Sequence, residues 1–443
     1  MTEGRLAGKI LAFSVPLMLT NLLQLLYNAA DIIVIGRLCG QDPVAAVGSS
    51  SSFCALIVNV FLGLSVGVSV AVGKYIGQKR GNDVSETVHT AAILGILCGI
   101  AAGILGTLVS EPVLRLLKTP DAVMPLALIY LRIYLIGCPG NLLYNFLAAV
   151  LRANGDTKHP FVFLSISGVA NVILNIVMVA VFRLDTAGVA IATIVSQYLS
   201  AAMMVIYMKN LDDSCKIDFG KLRLNSKKTL EIAKMGLPSG VQSSVFAISA
   251  MVIQSAVNSF GPAVMAGNTA AGSVDSFSYA IHNAFHYTST SFVAQNFGAK
   301  KFDRIGKSVG ICFVYAIISA LISGGIIYLF ANPLLSLYLP GNDAAIAAGT
   351  VRLKWLCLLY FLLAMMDVMS GSLRGLGCAL VPTIISLIGS CGLRVLWIYT
   401  VLPKVHTLDV LYLSYPITWG ATFIALFAAY LIVKSCLERK SLS

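Results

Sequence analysis

Residues 10–38 read ILAFSVPLMLTNLLQLLYNAADIIVIGRL. The stretch is apolar over more than the roughly 20 residues that a helix needs to cross a hydrocarbon core about 30 Å thick. Its polar residues are not scattered. Asn21, Gln24, Asn28 and Asp31 follow a three-four-three spacing, which puts all four on one face of a helix. A stripe of amides ending in a single carboxylate, on a helix otherwise coated in Leu and Ile, reads as the wall of a wet cavity. Pro16 lies lower on the same helix and removes one backbone hydrogen bond, so a hinge is expected there. The run starts within ten residues of Met1 and lacks a small-residue cleavage pattern, so it reads as a retained helix and not as a signal peptide.

The rest of the 443-residue chain repeats this character, with 58% hydrophobic and 11% charged residues. Soluble domains keep about a quarter of their residues charged, so the expected class is an all-α polytopic membrane protein. Apolar runs between charged or Pro/Gly punctuation predict twelve transmembrane helices. The first six span about 10–38, 44–73, 87–109, 122–151, 160–182 and 187–208, and the second six about 232–259, 264–297, 305–330, 344–373, 382–402 and 410–434. A polar linker, 209–231, separates an N-terminal six-helix lobe (1–208) from a C-terminal one (232–443). Most of the 31 Lys and Arg residues fall in segments on the side of the N-terminus, and five (Arg37, Arg115, Lys118, Arg183, Lys404) in the opposite loops. The positive-inside rule then puts both termini and the linker in the cytoplasm, in a multi-pass inner-membrane protein. The net charge of +12 is a topology signal and not a nucleic-acid footprint.

The two halves are pseudo-symmetric. Ser14-Val15-Pro16 aligns with Gly236-Leu237-Pro238, and Leu151-Arg152 through Pro160 with Leu373-Arg374 through Pro382, both at an offset of 222; Gly77-Gln78-Lys79 aligns with Gly298-Ala299-Lys300 at 221. Each half has an even number of spans, so the repeats run in the same direction. Parallel repeats of this kind carry a central binding cavity at their interface in many transporters. No phosphate-binding loop or HExxH motif is present. The ten cysteines form no CxxC pair and mostly sit in apolar runs, as packing residues do. No cofactor is expected, and transport energy must come from an ion gradient.

Three acids fall inside spans: Asp31, Asp275 and Asp367. A carboxylate there is costly unless it faces a polar interior, so each is a functional candidate. The bland alternative is an ion pair with intramembrane Arg132, Lys354 or Arg394. Asn171 and Asn175 share one face of the fifth span, and Thr193 lies two turns into the sixth. At 1.5 Å per residue these residues reach the level of Asp31. They form either a cation or proton site or ordinary interhelical hydrogen bonds. In the second half, Asp275, Tyr279, His282 and His286 lie on one face of the eighth span and Asp367 lies in the tenth.

The Pro-bearing first helix ending in Asp31-Ile32-Ile33-Val34-Ile35-Gly36 resembles the multidrug and toxic compound extrusion (MATE) family. So do Val293-Ala294-Gln295-Asn296-Phe297-Gly298-Ala299 and the paired Leu-Arg-…-Gly segments at Leu151 and Leu373. The resemblance implies two six-helix lobes around a V-shaped cavity and proton- or sodium-driven antiport of organic cations. It maps the ion-coupling site onto Asp31, Asn171, Asn175 and Thr193. Asn175 stands where the family commonly has Asp, Phe246 and its neighbours offer no seventh-span Glu, and Asp367 is about one turn from the tenth-span acid of some members. The expected function is therefore a secondary antiporter, monomeric in the bilayer, exporting small amphipathic cations in exchange for H⁺ or Na⁺. Gln24, Asn28, Asp275, Tyr279, His282 and Asp367 would line its substrate cavity. The rivals are a lipid-linked oligosaccharide flippase of the same superfamily, and a membrane metalloenzyme built on His282 and His286.

Overall fold

The computed structural model describes residues 1–39, 41–116 and 119–442; Lys118, counted above among the outer cations, lies outside them. All regular structure among these residues is helical. The long apolar segments form α1 (Leu6–Leu38), α2 (Gln41–Gly77), α3 (Gly81–Leu116), α6 (Lys158–Ile176), α7 (Asp185–Lys209), α8 (Ser226–Asn258), α10 (Phe302–Leu329) and α16 (Leu408–Leu442). Two segments are broken by 45° bends: α4 (Met124–Ile136) into α5 (Cys138–Asn154), and α12 (Asp343–Cys357) into α13 (Tyr360–Gly375). At the first break Pro139 sits in the opening turn of α5, where its missing N–H costs nothing. A π-helical turn, Val177–Val181, ends the α6 span. A second, Leu387–Gly392, joins α14 (Leu380–Ser386) to α15 (Leu393–Thr400). The short α11 (Ala331–Tyr338) follows α10.

Among the described residues nine helices are long and apolar enough to cross a membrane, or eleven spans when each bent pair counts as one. The remaining expected segment is α9 (Pro262–Gly298), which is long but polar. Its polarity is tolerable because much of it is buried in protein, where many of its groups are paired. Thr290 donates to the His286 carbonyl (2.8 Å) and lies 3.1 Å from that of Gly371; Ser278 pairs with Ser323 at 2.7 Å. By contrast, Leu105, Leu108, Leu329 and Ile432 stand exposed on outer faces, as lipid-facing side chains do.

The internal repeat is visible in the backbone. Lys79 (φ 58°) and Lys300 (φ 55°) both adopt the left-handed conformation at the ends of α2 and α9. Gly155 (φ 102°) and Gly377 (φ 85°) do so after α5 and α13. Each glycine donates to the arginine carbonyl three residues back, and the next residue to the leucine carbonyl before it. That pairing closes the helix end and explains why the Leu-Arg-…-Gly pattern occurs twice.

By packing, the chain forms two compact units, Leu23–Val241 and Met1–Leu22 with Gln242–Ser443. The division by packing is not the division by repeat, because it cuts inside α1 and α8, the two helices that carry the matched prolines Pro16 and Pro238. The first half of α1 packs on α9, through the Phe13–Phe292 edge contact (5.6 Å) and the Ser14–Thr288 hydrogen bond (2.9 Å). Its second half meets α6. The linker is docked within the first unit: Asp218 donates from its amide to His89 (3.0 Å), Asn225 donates to Glu86 (3.0 Å), and Cys215 is fully buried.

Candidate functional site

In the unit Leu23–Val241, Gly168 of α6 leaves the space that the Tyr27 ring fills, and the Tyr27 hydroxyl donates to the Leu164 carbonyl (3.2 Å). This close approach brings Asp31, one turn further along α1, against Asn175 of α6. Asn175 donates from Nδ2 to Asp31 Oδ1 (2.5 Å) and reaches Asn171 Oδ1 (3.3 Å). Asn171 in turn reaches the Thr193 hydroxyl of α7 at 3.5 Å, and Thr193 donates to the Val189 carbonyl (2.9 Å). Asn171 and Asn175 are buried, while Asp31 and Thr193 are half-buried. One acceptor stays open: Asn175 Oδ1 is buried without a partner. The four residues singled out from depth and resemblance thus form one hydrogen-bonded chain with a single carboxylate.

Sequence reading missed what closes this chain on one side. Ile35, Val179 and Val189 are one helical turn from Asp31, Asn175 and Thr193 respectively, all toward the same end of the bundle. They pack with Val47 and Tyr130 into a separate buried apolar cluster. Four-residue offsets from each polar residue were the available signal. The π turn of α6 starts two residues after Asn175; such turns often accompany functional positions.

The other α1 candidates are not drawn into this chain. Gln24 and Asn28 are exposed, and Asn21 donates to the Ala280 carbonyl (2.9 Å) in the second unit. Pro16 lies within an unbroken helix whose Thr20 hydroxyl donates to the Pro16 carbonyl (2.7 Å).

The second unit treats its charges differently. Asp275, expected in a cavity wall, is buried and accepts from Arg352 Nε (3.1 Å) and Nη2 (2.9 Å). The partner is none of the three foreseen: Arg132 and Lys354 are exposed, and Arg394 packs over the Tyr415 ring at 4.0 Å and donates to Thr418 (3.0 Å). Arg352 also donates to Asn268 (2.7 Å), which accepts from Tyr412 (3.0 Å) and donates to Gln254 (3.1 Å). Lower on α9, His286 donates to the Asp367 carbonyl (3.0 Å) and accepts from Arg374 (3.4 Å), while Arg374 donates to Gln242 (2.6 Å). Asp367 Oδ2 is buried without a partner. His282 is fully buried between Tyr279 (5.4 Å) and Tyr360 (5.1 Å) and both its ring nitrogens lack partners, whereas Tyr279 is partly exposed. The single face of α9 read from sequence is thus dispersed over three environments. Among the described residues no three His, Cys, Asp or Glu side chains group as a metal site.

The MatE family model matches the chain twice, at residues 16–177 and 238–400, once in each half. The probable multidrug resistance protein YpnP of Bacillus subtilis (strain 168) is 30% identical over 394 residues, covering 89% of this chain and 88% of that protein. The probable multidrug resistance protein YoeA of the same organism is 28% identical over 432 residues, covering 95% and 92%. Among solved structures, a MATE crystal structure in a bent conformation superposes with a TM-score of 0.91 at 20% identity, covering 99% of this chain and 98% of that one.

Proposed function

The chain belongs to the MatE family, whose members are membrane transporters of small molecules, and from that premise we propose that it is a secondary antiporter of the inner membrane, exporting small amphipathic organic cations against an inward flow of protons. The observation that carries this reading is the chain Asp31–Asn175–Asn171–Thr193, in which one carboxylate is the only ionisable group. Asp31 would be the coupling acid and the amides its shell.

An amide at position 175 suits a proton better than a metal cation. Asn175 donates to the carboxylate as it stands. The protonated acid keeps a carbonyl oxygen that can go on accepting from Asn175 Nδ2, so no rearrangement of the amide is needed. Both protonation states of Asp31 are then paired. A hard cation gains most from charged oxygen ligands, and here it would meet one. Protonation would discharge Asp31 and lower the affinity for a cationic substrate, so each ligand favours a different state of the carrier. The charge change would act on α1, the helix whose first half, with Pro16, belongs to the second unit.

The test is dye uptake into proteoliposomes under separate proton and sodium gradients. A proton gradient alone should drive uptake without added sodium; strict sodium dependence at fixed pH and potential would overturn the proton reading. Orientation needs its own reporter. The Cys215 thiol is pushed up to about 12 by burial and then by the Asp213 charge, so it will stay silent to thiol reagents from either side. Exposed Cys436 is the reporter instead. In a Cys39→Ser background it should react with a membrane-impermeant maleimide in inverted vesicles and not in intact cells, and the reverse pattern would invert the topology.

A further inference from the structure

A groove of about 760 Å³ opens in the second unit between the start of α1 and the first four turns of α10. Its mouth is basic, with Arg5, Arg304 and Lys307 among its lining residues. Arg304 is held in place by three donations to the N-terminal segment: to the carbonyls of Met1 (3.1 Å), Glu3 (2.7 Å) and Gly4 (2.8 Å). These use Nε and Nη2 and leave Nη1 without a partner among the described residues. Arg5 and Lys307 are exposed and likewise have no ion pair or hydrogen bond among those residues. Lys9 and Lys301, which donate to the Glu3 and Thr2 carbonyls (both 3.0 Å), add to the same positive field. The acids nearby in sequence, Glu3 and Asp303, are exposed.

Below the mouth the lining changes character. Lys307, Gly310, Ile311, Val314 and Tyr315 recur at helical spacing on one face of α10, and Leu6 faces them from α1. Seven residues separate Lys307 from Val314, a descent of about 10 Å, and Val314 is exposed there. Gly310 keeps the groove open: a Cβ added to it would meet nothing within 4 Å. A cationic mouth over an apolar trough at the end of two membrane helices matches one ligand shape, a phosphodiester joined to acyl chains.

We propose that this groove is a binding site for an anionic phospholipid, with the headgroup phosphate on Arg5, Arg304 Nη1 and Lys307 and an acyl chain along Gly310, Ile311 and Val314. The lipid touches the first turn of α1 and so bears on the helix that reaches Asp31. In the orientation proposed above it comes from the inner leaflet.

The test uses the purified full-length protein in detergent, titrated with fluorescent phosphatidylglycerol and, separately, phosphatidylcholine. Binding is read without transport or sidedness, so a failed transport reading leaves it untouched. Each basic contact near a membrane surface is worth about 1 kcal/mol, or roughly fivefold in affinity. Arg5→Ala with Lys307→Ala should therefore weaken phosphatidylglycerol by about 25-fold and leave phosphatidylcholine unchanged. Gly310→Phe should fill the trough and weaken phosphatidylglycerol with every charge in place. Equal binding of the two lipids by the unmodified protein, or full phosphatidylglycerol affinity in both variants, would overturn the proposal. So would displacement of the lipid by excess inorganic phosphate, which would mark a plain phosphate site.

Discussion

In the unit Leu23–Val241 the intramembrane polar residues of the candidate site are two amides and a hydroxyl arranged around one carboxylate. In the unit Met1–Leu22 with Gln242–Ser443 they are mostly full charges set against compensating groups, with Asp367, whose Oδ2 is buried without a partner, as the exception. Asp275 faces Arg352, Arg394 faces the Tyr415 ring, and Arg374 lies between Gln242 and His286. The halves share their capping glycines and left-handed lysines, so the fold is duplicated while the polar chemistry is not. A charge opposite a fixed countercharge gains little by changing its protonation state. A lone carboxylate beside amides that can donate or accept is free to do so. The difference separates residues that hold a helix bundle together from residues able to run a cycle.

The strongest way to break that contrast is Asp31→Asn. The neutral amide keeps an oxygen for Asn175 Nδ2, so the folded state should lose no more than about 1 kcal/mol. Gradient-driven export, in contrast, should vanish. The checks are dye transport in proteoliposomes beside a thermal melt in detergent. Normal export by this variant would leave Asp31 a structural residue and remove the centre of the proposed mechanism.

Asp275→Asn should behave in the opposite way. It leaves the largely enclosed Arg352 guanidinium without its carboxylate, and stranding one partner of a buried pair costs about 3–5 kcal/mol, an upper figure for a side chain that is 16% exposed. A clear fall in melting temperature is expected, with partial recovery when Arg352→Gln is added, since the double variant buries no charge. If Asp275→Asn keeps its stability and loses export instead, the second unit holds a working acid and the contrast fails.

The first helix shows how much of this was legible in sequence. Its length, its stripe and its carboxylate follow from local spacing, and the match of Asp31 to Asn171, Asn175 and Thr193 follows from counting rise per residue. Burial partners do not follow from such counts. Asp275 lies on the same α9 face as Tyr279, His282 and His286, yet what each meets depends on α12 and α13, which enter from 60 or more residues away. Arg352 and Lys354 are two apart, and the helical turn sends one to Asp275 and the other outward. The exchange of α1 and α8 between units was equally hidden. A sequence repeat marks where a unit was copied, and packing decides which half of a helix it keeps. The linker was legible as polar but not as docked, because its partners, from His89 for the Asp218 amide to Glu86 for Asn225 and Asp83 for Lys228, lie on α3, more than 100 residues away in sequence.

Asn175→Asp sharpens the contrast with the smallest expected effect. The substitution replaces the donor at Asp31 with a second carboxylate within hydrogen-bonding distance. Two carboxylates this close cannot both be ionised unless a cation sits between them. The pair then has two ways to relieve the repulsion. It can hold one proton in common, which makes the site harder to empty and slows proton-driven export. Or it can bind Na⁺, with the Asn171 and Thr193 oxygens completing a set of hard ligands. The two outcomes move the sodium response in opposite directions, and where sodium is abundant the second is expected: sodium should inhibit or replace the proton more strongly than in the unmodified protein. The shift should be about five- to tenfold in the sodium concentration for half-effect, within the range of ordinary coupling energies. Dye uptake measured across a sodium series at fixed pH reads it directly. An unchanged sodium response, with proton-driven export intact, would mean that position 175 does not belong to the coupling shell and that its hydrogen bond to Asp31 serves only to dock α6 on α1.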